Sequence, residues 1–441
     1  MTTQSTPSST SDTPARVTAA NPAEEKTRGR FSRLPQLAGR SFIPLGLFAR
    51  LPLAMLTMGT LTLVTSVSGS VAAGGTAAGA VGIGSALGAP LLGSLADRRG
   101  QRPVLLLAAA LNTLAVLALV LAANASAAAE GFPLAVLAVA FAAGATSPQV
   151  GPLARVRWMS LTATADATAP RPDPVRDLDT ALSYESTADE VTFVLGPALV
   201  GILASLVAPW LPLALAAAMT ITLVPAFAVH PTHRAVPAAR RYRRGQRHAE
   251  TGRGAAKLPW VVALPVFAMV CMGTFFGSTQ TALSTFSAGL AGTEIAGLLY
   301  AVMGLSSAAA ALSVAYWPRR AGLALRWVLC AVLMAGLAVL LLVPSSLSMM
   351  AAVLLLLGLP VGPVMVTVFA VGGRVAPAGM LGTVMTALAS GIVAGTALGS
   401  SVGGQLAQLH GHGAAFLVPV GAALALALLG AAAAVVLRRK A

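Results

Sequence analysis

The sequence predicts an all-α polytopic membrane protein whose twelve transmembrane helices form two six-helix bundles. Its 441 residues are 56% hydrophobic and only 10% charged, and their mean hydropathy is +0.80. A soluble domain carries about 25% charged residues to cover its surface. Runs of about 20 apolar residues cross a bilayer as helices. The long Ala-, Leu-, Val- and Gly-rich runs here lack the short alternating segments of a membrane barrel.

Twelve apolar segments are long enough to be spans, and a basic segment separates the first six from the last six. Residues 1–40 are rich in Ser, Thr, Pro and charge, which predicts a disordered cytoplasmic tail. We expect the first bundle within 41–229, a basic cytoplasmic linker at 230–258 and the second bundle within 259–441. The predicted spans are 42–66, 71–95, 103–124, 132–154, 184–207, 210–229, 259–281, 293–316, 325–343, 347–370, 379–402 and 413–437.

The positions of the basic residues set the predicted orientation. The formal net charge is +15, and Lys and Arg collect in every second loop while the other loops hold none. Cytoplasmic loops are enriched in Lys and Arg, so we expect both termini in the cytoplasm. High Ala, Gly and Arg indicate a GC-rich genome and hence a bacterial inner membrane. Because the arginines lie between apolar runs, we expect contact with membrane lipid and no nucleic acid partner.

The sequence contains no recognisable enzyme signature. It has no H-E-x-x-H zinc motif and no P-loop lysine motif. Cys271 and Cys330 both fall inside apolar runs, which predicts buried thiols and neither a disulfide nor a metal site. We therefore expect no enzymatic activity and no cofactor.

A ten-residue segment between the second and third spans carries a specific motif. It reads Gly93-Ser-Leu-Ala-Asp97-Arg98-Arg-Gly100-Gln-Arg102 and resembles the G-x-x-x-D-R-x-G-x-R signature of the major facilitator superfamily. Asp97 is expected to accept hydrogen bonds from a facing helix N-terminus or to pair with Arg155. The predicted conformational latch comprises Gly93, Asp97, Arg98, Gly100, Arg102 and Arg155. The alternative is an ordinary hydrophilic turn with positive-inside charges.

A second resemblance lies in the fifth span. Gly196-Pro197 is similar to the Gly-Pro signature in the fifth helix of the family's proton-coupled exporters, although the second Gly is displaced by one residue and is not doubled. The alternative is a helix kink with no influence on the direction of transport.

These resemblances cover residues 42–437 and carry several implications. The family fold consists of two six-helix bundles around a central cavity that opens alternately to each side. Helices one, four, seven and ten line this cavity. The chain looks like a bacterial transporter of the drug and metabolite efflux branch, and we expect it to act as a monomer on a small-molecule substrate.

Ionisable residues inside spans are functional candidates, because burying them in the bilayer is costly. Arg50, Asp189 and Glu190 are the candidates for proton coupling. We favour Glu190 as the cavity-facing carboxylate, with Arg50 or Arg155 as its partner. Alternatively, Arg50 snorkels or forms a structural pair, and the two acids belong to a capping box at a helix start, with Ser186 or Thr187 as the cap.

Two further groups of residues receive an interpretation from their types and spacing. Apolar and amide side chains are the candidates for the substrate cavity, although they can equally face lipid or the core: Met55, Met58, Gln149, Met272, Phe275, Phe276 and Gln280. Glycines at four-residue spacing predict a close helix contact, and we expect a sliding seam between the second and eleventh spans. The eleventh span provides Gly391, Gly395, Gly399 and Gly403, and the second provides Gly75, Gly79, Gly84 and Gly88.

The predicted function is secondary active transport, with protons as the coupling ion. We favour a proton antiporter that exports a small apolar or amphipathic molecule by alternating access. One alternative is an uptake permease or uniporter for a metabolite. A second alternative, from another class, is a non-transporting membrane receptor or assembly factor whose partner protein binds the basic loop at Arg240–Arg247.

Overall fold

A computed structural model of the chain describes residues 30–125, 134–164, 173–236, 259–290, 295–318 and 322–438. Most of the predicted tail and the linker segment that contains Arg240–Arg247 lie outside these residues. Regular structure in the described part is helical throughout.

Among the described residues, the first half of the chain contains six membrane-length helical units, and the fourth of these is interrupted. Thr146–Gln149 separate its two pieces, and Pro148 lies in the break. The units are α1 (Phe42–Ser68), α2 (Val71–Arg99), α3 (Gln101–Ala125), α4a (Leu134–Ala145) with α4b (Val150–Thr164), α5 (Pro174–Leu206) and α6 (Leu211–Val229).

The described part of the second half also has six membrane-length helices, and the fourth of these is continuous. Its first four helices are α7 (Ala263–Ala288), α8 (Ile295–Ser313), α9 (Leu323–Val339) and α10 (Leu347–Val375). The last apolar segment, Leu381–Val436, has 56 residues. A straight helix of that length would measure about 84 Å, whereas the bilayer core is about 30 Å thick. Gly411, with φ 79° and ψ 178°, divides it into two crossings, α11 (381–410) and α12 (412–438), and brings the total to the predicted twelve.

Two helices extend well beyond their predicted ends, and this changes the position of the charged residues. Helix α5 begins at Pro174, ten residues before the expected start, and the Asp173 side chain caps it by accepting the Arg176 N–H at 3.2 Å. The alternative of a capping box at Ser186 or Thr187 is therefore wrong. Because α4b continues to Thr164, Arg155 lies inside a helix and not in a loop.

Glycines bring neighbouring helices together within each half. A Cβ atom on Gly395 or Gly399 would collide with the backbone of α7 at Val270 or Thr274. Gly84, in contrast, faces α4a. The predicted seam between the glycines of α2 and α11 is therefore wrong, because Gly84, Gly395 and Gly399 tighten contacts inside the halves.

The halves meet along α2 with α11 and along α5 with α8 and α10. We call one end of the molecule the basic end; it is the end at which α2, α4b and α10 finish and α1, α5 and α11 begin. At this end α2 lies in close contact with α11 at Gly93, where a Cβ atom would overlap Thr386 and the Gly382 carbonyl.

Candidate functional site

A carboxylate from one half caps a helix of the other half at the basic end. The side chain of Asp97, at the end of α2, accepts the Gly382 N–H at 2.8 Å and the Thr383 N–H at 2.7 Å. It also accepts the Thr383 hydroxyl at 2.7 Å. Gly382 and Thr383 begin α11, where N–H groups lack partners inside the helix and the helix dipole favours an anion. The three contacts, which we call the latch, hold the two halves together.

The other residues of the motif have separate roles. Gly100 has a φ of +92°, so it permits the one-residue turn between α2 and α3. Arg98 and Arg102 are exposed. Arg155 does not belong to the latch, because its guanidinium donates to Asp189 at 2.7 Å; the expected pairing with Asp97 is wrong.

A second set of charges is buried inside the first half. Arg50 of α1 donates to the Glu185 carboxylate at 2.5 Å and to the Asp189 carboxylate at 2.7 Å. The other oxygen of Asp189 accepts the bond from Arg155, and the other oxygen of Glu185 accepts the Trp158 indole N–H at 2.8 Å. Two guanidiniums therefore face two carboxylates, and the cluster joins α1, α4b and α5 with no net charge.

Two neighbours shape this cluster. A Cβ atom on Gly151 would lie 3.2 Å from an Asp189 oxygen, so the glycine leaves room for that carboxylate to bridge both arginines. The Phe369 ring of α10 lies 3.9 Å from the Arg155 guanidinium carbon, which extends the cluster into the second half through a cation–π contact. Of the four charged groups, Asp189 has the most exposed side chain, at 18%.

Glu190 lies apart from these arginines. Its side chain accepts the Ser307 hydroxyl of α8 at 2.5 Å, and only 8% of the residue is exposed. The expected pairing of Glu190 with Arg50 or Arg155 is wrong, because a residue one position along a helix points about 100° away. Within the described residues, Glu190 forms no salt bridge.

Two residues of this region were missed in the sequence. Glu185 lies four positions before Asp189 on the same face of α5, so the i, i+4 rule could have identified it as a further partner for Arg50. Nothing in the sequence pattern marks Ser307, because it lies in another half and is one of two adjacent serines in an alanine-rich helix.

The candidates for the substrate cavity divide into two groups. Met55, Met272 and Phe275 are 0% exposed and pack in hydrophobic clusters, so the expectation that they line an open cavity is wrong. Gln149 is also buried and donates to the Ser147 carbonyl at 2.9 Å. Three candidates keep accessible surface: Met58, Phe276 and Gln280.

The Gly196-Pro197 kink lies at a close helix crossing. A Cβ atom on Gly196 would overlap Ala54 of α1, so this glycine lets α5 pass directly over α1.

Among the described residues, no group of three or more His, Cys, Asp or Glu side chains could hold a metal ion.

Comparisons with known proteins agree with this architecture. No curated protein matches the sequence significantly. The human organic anion transporter TETRAN superposes with a TM-score of 0.65 at 19% identity, over 91% of this chain and 100% of that one. An outward-facing bacterial homologue of the iron transporter ferroportin gives 0.65 at 16% identity, over 89% and 98%.

A variant of the Escherichia coli fucose:proton symporter is similar to the same extent, with a TM-score of 0.62 at 14% identity, over 89% of this chain and 99% of that one. These likenesses show a shared fold. The family model of the major facilitator superfamily matches residues 43–390, which include the first half, the second half as far as the start of α11, and the latch. The chain is a multi-pass membrane transporter that belongs to the major facilitator superfamily.

Proposed function

We propose that the chain is a proton-coupled exporter of a small amphipathic molecule and that Glu190 carries the proton. The observation behind this proposal is the separation of the buried carboxylates on α5. Glu185 and Asp189 are held by guanidiniums, whereas Glu190 is bonded to a neutral hydroxyl. A buried carboxylate without a cation needs another source of positive charge, and a proton can supply it.

The position of Glu190 relates its protonation to the movement of the two halves. Glu190 belongs to the first half and Ser307 to the second, and their side chains are 2.5 Å apart. Moving α5 away from α8 removes this hydrogen bond and gives water access to the carboxylate. A proton bound in one access state can then leave in the other, as alternating access requires.

Export is proposed as the direction because of the Gly196-Pro197 kink, which resembles that of the family's exporters. An amphipathic solute is proposed because the accessible candidates Met58, Phe276 and Gln280 combine apolar and amide groups. The latch at Asp97 would close the cytoplasmic side while the solute leaves.

Transport in proteoliposomes under an imposed pH gradient tests the proposal, with a panel of fluorescent amphipathic dyes as solutes. A gradient that drives protons into the compartment from which the dye leaves should accelerate efflux. Glu190→Gln should abolish this acceleration but retain dye exchange in the absence of a gradient, because exchange requires no net proton movement. Asp173→Asn is the matched control, since Asn also caps a helix.

Two results would contradict the proposal. If Glu190→Gln keeps gradient-driven efflux, Glu190 is not the proton carrier. If the gradient accelerates uptake and not efflux in wild-type vesicles of known orientation, the chain is a permease.

A further inference from the structure

A short segment before α1 crosses the basic end of the molecule. It consists of one 3-10 turn, Arg30–Arg33, and a short helix, Leu34–Ala38. We call residues 30–38 the strap. It is covalently part of the first half, because α1 follows directly. Its first residues nevertheless contact the second half.

The contact with the second half is made at the end of α8. Helix α8 continues as a 3-10 turn, Val314–Tyr316. The Arg30 guanidinium donates a hydrogen bond to the Ala315 carbonyl and lies 4.7 Å from the centre of the Tyr316 ring. The Phe31 and Tyr316 ring centres are 6.2 Å apart, with the planes at 53°.

The rest of the strap is fixed to the first half. Arg33 lies 3.6 Å from the Asp177 carboxylate at the start of α5. Leu34 and Ala38 are buried in the same hydrophobic cluster as Phe42 and Trp158. The strap is therefore packed against the first half along most of its length. We call its first residue, Arg30, the tip of the strap.

Arg30 of the strap and Asp97 of the latch carry opposite charges, and each caps a different end of a helix in the second half. The last carbonyl groups of a helix lack intrahelical partners and carry the negative end of its dipole, which a cation stabilises. Arg30 provides this cation to α8, and Asp97 provides an anion to the N-terminus of α11. The first half thus caps two helices of the second half with opposite charges, both at the basic end.

An ion pair between α5 and α9 lies on the same side as the strap. The Asp179 carboxylate is 3.5 Å from the buried Arg326 guanidinium. The basic end cannot open along α5 and α8 while Arg30 remains bound to Ala315, because the two residues belong to opposite halves.

We propose that the strap is a second latch, of opposite charge to the first, and that Arg30 must release α8 before the basic end opens. The proposal uses the alternating access of the family fold but not the proton coupling of Glu190. Its failure and the failure of the proposed function are therefore separate outcomes.

Distance measurements between spin labels test the strap directly. Val175 and Leu325 are exposed residues at the basic end of α5 and α9, in opposite halves. Both can be replaced by labelled cysteines in a background that lacks Cys271 and Cys330, and the pair can be measured by pulsed electron paramagnetic resonance in lipid nanodiscs. We expect Arg30→Ala to raise the ratio of long to short distances about five- to tenfold, the effect of losing one cation contact.

Arg40→Ala is the matched control. Arg40 follows the strap, is exposed, and has no hydrogen bond or ion pair with the described residues. It should leave the distance distribution unchanged. Arg30→Lys should give an intermediate ratio, because it keeps the charge but loses the planar guanidinium.

The strap proposal is wrong if Arg30→Ala, folded as judged by an unchanged melting temperature, has the wild-type distance distribution while Asp97→Asn populates the long distance. If no variant populates it, the helices do not separate at this end, and the strap proposal is also wrong. Dye efflux and its response to Glu190→Gln report separately on the proposed function.

Discussion

Asp97 and Thr383 belong to opposite halves of the protein, and the Asp97 carboxylate accepts both the N–H and the hydroxyl of Thr383 at 2.7 Å. A side chain of α2 thus caps the N-terminus of α11. In most helices this cap comes from the residue that immediately precedes the helix. Because the cap comes from the other half, the first turn of α11 is stabilised only while the two halves are close together at the basic end. Opening the basic end leaves the first N–H groups of α11 without this partner.

We predict that Asp97→Asn opens the basic end. The amide keeps the size of the side chain but loses the charge, and a hydrogen bond to a charged group is worth about 1.5–3 kcal/mol. Ser390, buried in α11, provides the reporter. A cysteine at this position, in the background without Cys271 and Cys330, should react at least about tenfold faster with a thiol reagent in the variant, because about 1.4 kcal/mol corresponds to a factor of ten.

Arg102→Ala is the control for this measurement, because Arg102 is exposed and belongs to the same motif. Its labelling rate should equal that of the wild type. Equal rates in Asp97→Asn and the wild type would show that the latch does not hold the basic end closed.

We predict that Gly93→Ala prevents the close approach of α2 and α11. The added methyl group would overlap Thr386 and the Gly382 carbonyl, and overpacking of this kind costs about 1–3 kcal/mol. The closed state should be lost, with faster labelling at Ser390→Cys. Gly82→Ala is the matched control on the same helix, because a Cβ atom there meets no other atom. A wild-type labelling rate in Gly93→Ala would contradict the packing explanation.

Periodicity and charge position predict most of the fold but not the pairing of the charges. Long apolar runs and the distribution of arginines predict all twelve helices of the described residues, the last two of which are divided at Gly411, since both follow from the chemistry of the bilayer. Helix ends are harder to predict from the sequence, as α5 shows, because its polar first residues at 174–183 resemble a loop in composition. This error placed Asp189 near a helix start and concealed Glu185 as a partner of Arg50.

Contacts between halves are the hardest feature to predict from sequence. The motif around Asp97 indicates a helix N-terminus as its partner, but no local pattern identifies Thr383 or Ser307. Each of these contacts joins segments more than 100 residues apart. Low-complexity sequence makes such contacts ambiguous, and the glycines of α11 face α7 although the spacing alone fits α2 equally well.

We predict that Glu185→Gln destabilises the protein strongly. Arg50 would keep only one carboxylate, Asp189, which it shares with Arg155, so two buried guanidiniums would face one negative charge. Breaking a buried ion pair typically costs about 3–5 kcal/mol. The melting temperature in detergent should fall clearly. Asp179→Asn is the comparison, since its contact with Arg326 is 3.5 Å long and should matter less. If the melting temperature falls no further in Glu185→Gln than in Asp179→Asn, the proposed structural role of the cluster is refuted.

We predict that stability falls on mild acidification because of His230, which follows α6 at the basic end. The ring is 3.2 Å from the Ser41 hydroxyl and 3.1 Å from the Thr232 hydroxyl. Burial, together with the charges of Arg157 and His233, lowers the pKa of His230 below its usual value. The unfolded chain therefore binds a proton more readily than the folded protein. This contribution to stability is complete above about pH 6.5 and is lost as the pH falls through the lowered pKa of the folded state.

Melting temperatures between pH 7.5 and 5 check this sign. His230→Asn removes the titrating ring, so the variant should lose part of the fall in melting temperature that the wild type shows below about pH 6.5, the usual pKa of histidine. His410→Asn replaces an exposed histidine and should keep the wild-type pH profile. Because His230 joins the start of α1 to the end of α6, a wild-type profile in His230→Asn would mean that this junction does not titrate and that acid acts on the protein elsewhere.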